Sequence, residues 1–290
     1  MFVMVLWAGN FVVVKSALAE LPPVAFTTLR FILAAAVLLV VCRLREGSLL
    51  LPRRDLAQLA ALGAIGFAIY QALWTTALRQ TTAADSALLI AATPIMTALV
   101  AGAIRSDELT RRMLLGAVVS FAGVGVVVLA GADSGSGSRA IGNVLTLVAA
   151  ACWAVYVSFG APVLRRHSAL RTTTWTVTFG TLFLIPLGTW ELVTGNPHPT
   201  IASLLAILYA GILSIAVGNV FQFWGVKTLG PTRTANFQFL VPALAVVLAA
   251  IFLAEQIRVE QIVGGVVIVL GIFVARGGVR SRRVGADAHA

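Results

Sequence analysis

The chain has 290 residues, of which 59% are hydrophobic and only 11% are charged, and its formal net charge is +10. A soluble domain is about half apolar and about a quarter charged, so this composition excludes a water-soluble globule, whose surface needs polar residues. The basic residues lie between the apolar stretches and not along one face, which favours topology signals and contacts to lipid headgroups over a nucleic-acid surface. A lipid bilayer is therefore an expected partner, and nucleic acid is not.

Ten apolar stretches approach the length of about 20 residues that a membrane helix needs. They are predicted at 1–17, 24–42, 56–78, 86–104, 113–131, 141–161, 172–193, 201–226, 234–253 and 261–276. The Gly/Ser-rich stretch 132–140 is predicted to be a linker between a first unit, 1–131, and a second unit, 141–278. Residues 279–290 are predicted to be a disordered tail.

The first span carries Trp7 and Asn10. An amide facing acyl chains would be costly, so both side chains are expected to point into the bundle. An A-x-A match precedes Glu20, but no basic region precedes the span, so a cleaved signal peptide is not favoured. A native start upstream of Met1 is expected instead, and Lys15 and Glu20 at the following turn are expected to be solvated.

Arg30 lies about two turns into the second span. It could bind a carboxylate or phosphate of a solute, or it could compensate helix carbonyls. It could equally extend to the outer headgroups, which lie within reach of a long side chain. The sequence leaves these alternatives open.

Polar and aromatic residues recur in spans three, six and eight. Rings with a few amides can line a pocket for a small, partly apolar solute. For Trp74 the alternative is a belt of aromatic residues at the membrane interface, as it is for Trp175 and Trp224. The candidates in these spans are Tyr70, Gln71, Trp74, Trp153, Tyr156, Asn219 and Gln222.

Pro94 and Pro242 lie near the middle of spans four and nine. A proline there frees a backbone carbonyl and kinks the helix. Both are predicted to be bends that shape a central cavity, and the alternative is a kink that only aids packing.

A shift of 148 residues aligns the two halves of the chain without a gap. Because each half has five spans, an odd number, the second must cross the membrane in the opposite sense. The predicted fold class is therefore an all-α polytopic membrane protein with ten transmembrane helices as two inverted five-helix repeats. Glycines seven residues apart predict close packing of spans five and ten. Aligned pairs include Gln71/Asn219, Pro94/Pro242, Asp107/Glu255, Gly116/Gly264 and Gly123/Gly271.

The distribution of Lys and Arg predicts the orientation. If the amino terminus is cytoplasmic, sixteen basic residues fall inside and four outside, with Arg30 within a span. Cytoplasmic loops carry the excess of Lys and Arg, so both termini are predicted to be cytoplasmic.

No pattern of an enzyme or metal site occurs in the sequence. Cys42 and Cys152 stand alone, the three histidines lie in predicted loops or the tail, and the eleven Asp and Glu residues lie in loops, in the tail or at span ends. Phosphate-binding loops, nucleophile elbows and H-E-x-x-H pairs are missing. Catalytic activity, metals and cofactors are therefore not expected.

Three segments carry a family resemblance. "WAGNFVVVKSALAELPPVAFTTLRFILAA" is similar to the opening signature of EamA-type ten-helix carriers of the drug/metabolite transporter (DMT) superfamily. "TPIMTALVAGAIRSDELTRRMLLGAVVSFAGV" and "VPALAVVLAAIFLAEQIRVEQIVGGVVIVLGI" look like the closing element of that family, although "RSDE" replaces its usual Gly-Glu. The resemblance implies export or exchange of small metabolites, often amino acids, across the inner membrane. It also implies a central cavity between spans one, three, four, six, eight and nine, with spans five and ten at the periphery.

The predicted function is a carrier of small organic metabolites such as amino acids, working by alternating access in the bacterial inner (plasma) membrane. A monomer is expected, with a homodimer as the alternative. The alternative functions are a multidrug or toxic-compound efflux carrier, an intramembrane enzyme and a non-transporting scaffold. The predicted solute-binding residues are Trp7, Asn10, Arg30, Tyr70, Gln71, Trp74, Trp153, Tyr156, Asn219 and Gln222.

Overall fold

Helices account for the regular structure of the residues that the structure describes. The computed structural model describes residues 2–103, 110–132, 137–195, 197–229 and 240–276, and no strand occurs within these ranges. The helices are α1 Phe2–Ala17, α2 Pro23–Glu46, α3 Arg53–Gly63, α4 Tyr70–Gln80, α5 Ala83–Ile90, α6 Thr93–Ala103, α7 Arg111–Ala132, α8 Gly137–Arg166, α9 Ala169–Gly195, α10 Ile201–Leu208, α11 Gly218–Leu229, α12 Leu240–Phe252 and α13 Val259–Arg276. Two π-helical segments, Ala64–Ile69 and Tyr209–Val217, join α3 to α4 and α10 to α11.

The lengths and surfaces of these helices suit a bilayer. Among the described residues, seven helical stretches are long and apolar enough to cross a membrane, and the apolar helices Phe2–Ala17, Leu240–Phe252 and Val259–Ala275 are shorter. Large apolar side chains cover the outer surface, where Val118 and Phe252 are each 69% exposed. Soluble monomers rarely expose such continuous apolar surface. The described residues are therefore all-helical in their regular structure, with the composition and surface of a multi-pass membrane protein.

The helix ends follow their sequence signals. Pro22 and Pro23 open α2, where a proline needs no backbone hydrogen bond. Gly47 ends the helix with a φ of 70°, a left-handed conformation that glycine adopts without strain. These turn residues fix where the chain leaves the second span.

Two antiparallel helix pairs organise the bundle. In α2 and α9, contacts run in opposite sequence order, from Val24 with Glu191, through Phe31 with Thr181, to Glu46 with Arg171. In α7 and α13, Gly116 lies against Gly271 and Gly123 against Gly264. A Cβ on any of these four glycines would lie 2.4–2.7 Å from an atom of the opposite helix. The close packing that the glycine spacing predicts for spans five and ten is confirmed.

The fourth span, predicted at 86–104 with a kink at Pro94, is interrupted just before that proline. Helix α5 begins at Ala83, a turn interrupts the helix at 91–92, and α6 begins at Thr93 with Pro94 in its second position. A proline at that position has no helical hydrogen bond to lose. Pro242 is the third residue of α12, and 230–239 before it lie outside the described residues. The role of the two prolines as bends in transport stays a prediction.

The predicted linker and tail lie mostly outside the described residues. Helix α7 extends to Ala132 and α8 begins at Gly137, so helix occupies both ends of the stretch predicted as a 132–140 linker. Residues 133–136 and the predicted tail, 279–290, are not described.

Candidate functional site

Four aromatic rings form a cluster between the first π-helical segment, α4 and α8. The ring centroids of Tyr70 and Trp153, of Trp153 and Tyr156, and of Phe67 and Tyr156 are each 5.1 Å apart. Two of the rings come from positions 67 and 70 and two from 153 and 156, a spacing of three that places each pair on one helix face. Gly66 permits the approach, because a Cβ there would lie 2.5 Å from the Tyr156 ring. This aromatic cluster unites three predicted residues, and Phe67 is a member that sequence reasoning missed.

Arg30 lies beside Phe31, whose ring centroid is 5.9 Å from that of Phe67 in the aromatic cluster, and only 1% of Arg30 is exposed. Its Nη2 donates a hydrogen bond of 2.7 Å to Gln71 Oε1. The guanidinium carbon lies 5.3 to 5.6 Å from the ring centroids of Phe26, Phe31 and Trp74. Since the side chain is enclosed by the bundle, the alternative in which Arg30 extends to the headgroups is wrong.

Trp74 also points inward. Its Nε1 donates to Ser86 Oγ at 3.2 Å, and its ring meets Phe11 edge-on at 5.4 Å between centroids. The interfacial-belt alternative is therefore wrong for Trp74. Trp224 is 61% exposed and faces outward, as a belt residue would, and Trp175 Nε1 donates to Leu49 O at 2.9 Å.

The second π-helical segment binds the first span. Trp7 Nε1 donates to Ser214 O at 3.1 Å, and Tyr209 Oη donates to Leu6 O at 2.9 Å. A π-helical turn shifts the hydrogen-bond register and often occurs at functional sites. Gly218 leaves room for Trp7, because a Cβ there would lie 2.7 Å from its Nε1. Asn219, one residue later, donates back to Ile215 O of the second π-helical segment at 2.8 Å.

Several polar atoms in the interior have no partner among the described residues. Three of them belong to predicted solute-binding residues and are fully covered: Oδ1 of Asn10, Nε of Arg30 and Oε1 of Gln222. Native interiors satisfy nearly all buried polar groups, so each exception calls for an explanation. Two acceptors and one charged donor are thus free to bind something else. Whether the ten predicted residues contact a solute stays a prediction.

A second polar network, which the sequence did not predict, closes one end of the bundle around Asp85. The Asp85 side chain has no exposed surface, and its Oδ2 accepts from Arg139 Nε at 2.7 Å. Gln261 Nε2 donates to Asp85 Oδ1 at 2.6 Å. The hydroxyl of Thr81 donates to Asn143 Oδ1 and lies 3.4 Å from Asp85 Oδ2. This network, the Asp85 network, joins α5 to α8 and α13.

Carboxylates cap helices at the same end. Glu255 accepts from the backbone N–H groups of Ala83 and Ala84 at 2.8 and 3.1 Å. A carboxylate stabilises a helix amino terminus because the first N–H groups lack partners. Glu191 binds the start of α2 in the same way, through the N–H groups of Val24 and Ala25 at 2.8 and 2.9 Å.

Lys15 is not free in solvent, contrary to expectation, whereas the hydrogen bonds of Glu20 lie at the exposed surface. Lys15 Nζ donates to Leu78 O at 2.6 Å. The amide and hydroxyl of Thr200 donate to the Glu20 carboxylate at 3.0 Å each, and these hydrogen bonds hold the pKa of Glu20 below its usual value. Both side chains thus fasten this end of the bundle.

Comparison with known proteins gives a consistent result. The EamA-like transporter family matches residues 1–129 and again residues 140–277. An uncharacterized transporter of Archaeoglobus fulgidus is 30% identical over 275 residues, covering 93% of each chain. A "Probable amino-acid metabolite efflux pump" of Salmonella typhimurium is 28% identical, covering 98% of this chain and 95% of its own. A "Probable terminal-alkyne amino-acid exporter" of Streptantibioticus cattleyicolor is 29% identical, covering 76% of this chain and 72% of its own.

A solved crystal structure also matches the fold. It covers 94% of each chain with a TM-score of 0.66 and 22% sequence identity. At this identity the likeness concerns the fold alone.

Proposed function

The chain belongs to the EamA-like transporter family, and on that premise we propose that it exports or exchanges small organic metabolites such as amino acids by alternating access. The coarser statement, a multi-pass membrane transporter of the EamA type, follows from the family and from the membrane-length helices. The finer statement is supported by two relatives whose names specify an amino-acid exporter and an amino-acid metabolite efflux pump.

The observation that carries the proposal is a polar interior in an apolar bundle. Arg30, Asn10 and Asn219 are each at least nine-tenths buried. Polar side chains within membrane helices are costly and mark solute pathways. A non-transporting scaffold has no need of them, and a catalyst would need a nucleophile or acid–base group that these residues do not supply.

Alternating access is supported by contacts that repeat after a shift of 148 residues. Gly116 contacts Gly271, and the residues equivalent to these two in the other repeat, Gly264 and Gly123, also contact each other. The residues equivalent to the π-helical segment Ala64–Ile69 in the second repeat are 212–217, and they lie within the second π-helical segment. The family also matches the chain twice. We take these as support for two inverted repeats of five helices, 1–131 and 141–278, which give two equivalent conformations open to opposite sides.

We propose that both termini are cytoplasmic and that the carrier acts as a monomer in the inner (plasma) membrane. Arg45 and Val193 are exposed residues at equivalent positions of the two repeats, and they test the inversion. In a variant without Cys42 and Cys152, a single cysteine at position 45 should react only with a reagent given from the cytoplasmic side. A cysteine at 193 should react only from outside. Reaction of both from one side contradicts the inversion.

Flux through proteoliposomes tests the function itself. The purified protein should catalyse saturable uptake of at least one solute from a panel of radiolabelled amino acids. Trp153→Ala should lower that flux about tenfold or more, because it removes a ring of the proposed solute site and the packing, about 0.5–1.5 kcal/mol per ring pair, that holds the other three rings in place. Trp190→Ala is the matched control, since Trp190 is 70% exposed on the outer surface. A lack of saturable flux for every solute, or equal flux in the two variants, would count against the proposal.

A further inference from the structure

Arg30 holds a positive charge in the interior, and none of the described acidic side chains pairs with it. Within the described part of the chain it forms no ion pair, and its hydrogen bond to Gln71 is to a neutral amide. The three rings around it stabilise a cation only in part. A buried charge of this kind is strongly unfavourable unless it is paired. The interior therefore lacks one negative charge that would balance it.

The donors of Arg30 show where that charge would bind. A guanidinium carries five N–H donors in a rigid plane. Gln71 accepts from Nη2, and Nε has no partner although it is fully covered. The unused Nε–H and its neighbouring donors form the planar fork that matches the two oxygens of a carboxylate.

Two other roles for Arg30 do not match its surroundings. A role at the headgroups is excluded by its burial. A role in compensating helix carbonyls would require hydrogen bonds from the guanidinium to backbone oxygens, and the described residues supply none. What remains for the unused donors is a ligand that enters the bundle.

We propose that Arg30 binds the carboxylate of the transported solute, with Gln71 as the residue that positions the guanidinium. The rings of Tyr70, Trp153 and Tyr156 then contact the apolar body of that solute. The substrate class is a carboxylate-bearing solute with an apolar or aromatic body, and a cation without an acid group is rejected by the charge of Arg30. The proposal rests on the transport function above. Because Phe26, Phe31 and Trp74 cover Arg30 here, the pair forms when the bundle opens to one side.

Three probe solutes of similar size test whether transport depends on the carboxylate or on the rest of the solute. They are 3-phenylpropionate, which has only the acid, phenylalanine, which has acid and amine, and phenylalaninamide, which lacks the acid. Counterflow into proteoliposomes should favour the first two over the amide by about tenfold or more, the discrimination expected for one charge-assisted pair. Equal flux of acid and amide, or flux of the amide alone, overturns the proposal.

Variants of Arg30 identify the residue responsible. Arg30→Gln should reduce the acid-to-amide flux ratio to about one, because only the acid loses its partner, and Arg30→Lys should keep part of the ratio through its charge. Arg43→Gln, at an exposed position of the same helix, should leave the ratio unchanged. A merely structural role would lower the flux of acid and amide together and leave their ratio as in the wild type, which also overturns the proposal. If Arg30→Gln does not fold, the ratios of the wild type and of Arg30→Lys decide.

The same flux measurements distinguish a failure of the proposed transport function from a failure of the proposed role of Arg30. If no tested solute of any class shows saturable flux through the wild-type protein, the transporter proposal fails and the substrate class fails with it. If other solutes move but no carboxylate does, transport stands and only the role of Arg30 is wrong.

Discussion

Asp85→Asn is expected to lower the free energy of unfolding by about 3 kcal/mol or more, because it leaves a covered arginine without its counter-charge. Asp85 has no exposed side-chain surface, and Arg139, 2.7 Å away, is 12% exposed. The asparagine can still accept from Gln261 but can no longer neutralise Arg139. Denaturant unfolding of the purified protein in a mild detergent measures the loss.

A second ion pair in the chain provides the control. Arg166 lies 3.1 Å from Asp55 but is 45% exposed, and His167 also contacts that carboxylate at 2.6 Å. Exposed pairs contribute about 0–1 kcal/mol, so Arg166→Gln should be nearly neutral. Equal losses in Asp85→Asn and Arg166→Gln would show that burial of the Asp85 network is not what makes it important.

The double variant Asp85→Asn/Arg139→Gln isolates the pair. It removes both charges, so it should be more stable than the sum of the two single variants predicts, by an interaction energy of about 1–3 kcal/mol. Strict additivity would mean that the two side chains do not interact in the bilayer protein. Such a result would contradict the geometry of the Asp85 network.

Gly271→Ala should destabilise the protein by about 2 kcal/mol, although alanine is the better helix former by about 1 kcal/mol. The added Cβ would lie 2.4 Å from the backbone nitrogen and the hydroxyl of Ser120, and 2.6 Å from Gly116 O. Helix backbones cannot move aside as a flexible side chain can, so α7 and α13 must separate along their length. Thermal unfolding monitored by circular dichroism gives the change in midpoint.

Gly125→Ala is the matched control, since it lies in α7 two residues from Gly123 and a Cβ added there would have no atom within 4 Å. Without a clash, only the helix propensity changes, and the midpoint should rise slightly or stay unchanged. Opposite signs for the two substitutions are the expected result. Similar midpoints would show that α7 and α13 do not pack closely through these glycines.

The sequence by itself predicted the helical membrane class, the family and the close packing of the glycine-rich spans, although only the structure shows that these two spans pack against each other. The apolar composition shows that the chain folds in a lipid bilayer, and the thickness of that bilayer sets the length of each apolar stretch. The glycine spacing of 116 with 123 and of 264 with 271 fixes one small face on each helix, and in lipid only such faces let helices approach closely. Polar residues such as Asn10 were predicted to face inward for a related reason, since lipid is a poor solvent for them.

Only the tertiary structure decided which side chains meet. Asp85 binds Arg139 and Gln261, which lie 54 and 176 residues away along the chain, and no local pattern marks these three as partners. The enclosure of Arg30 and the carbonyl contacts of Lys15 likewise depend on neighbouring helices. The composition of a span determines whether it enters the bilayer and which of its faces avoids lipid, because the free energy of transfer from water to lipid depends only on the residues of that span. Partners are chosen by the packing of distant helices, which one stretch of sequence does not encode.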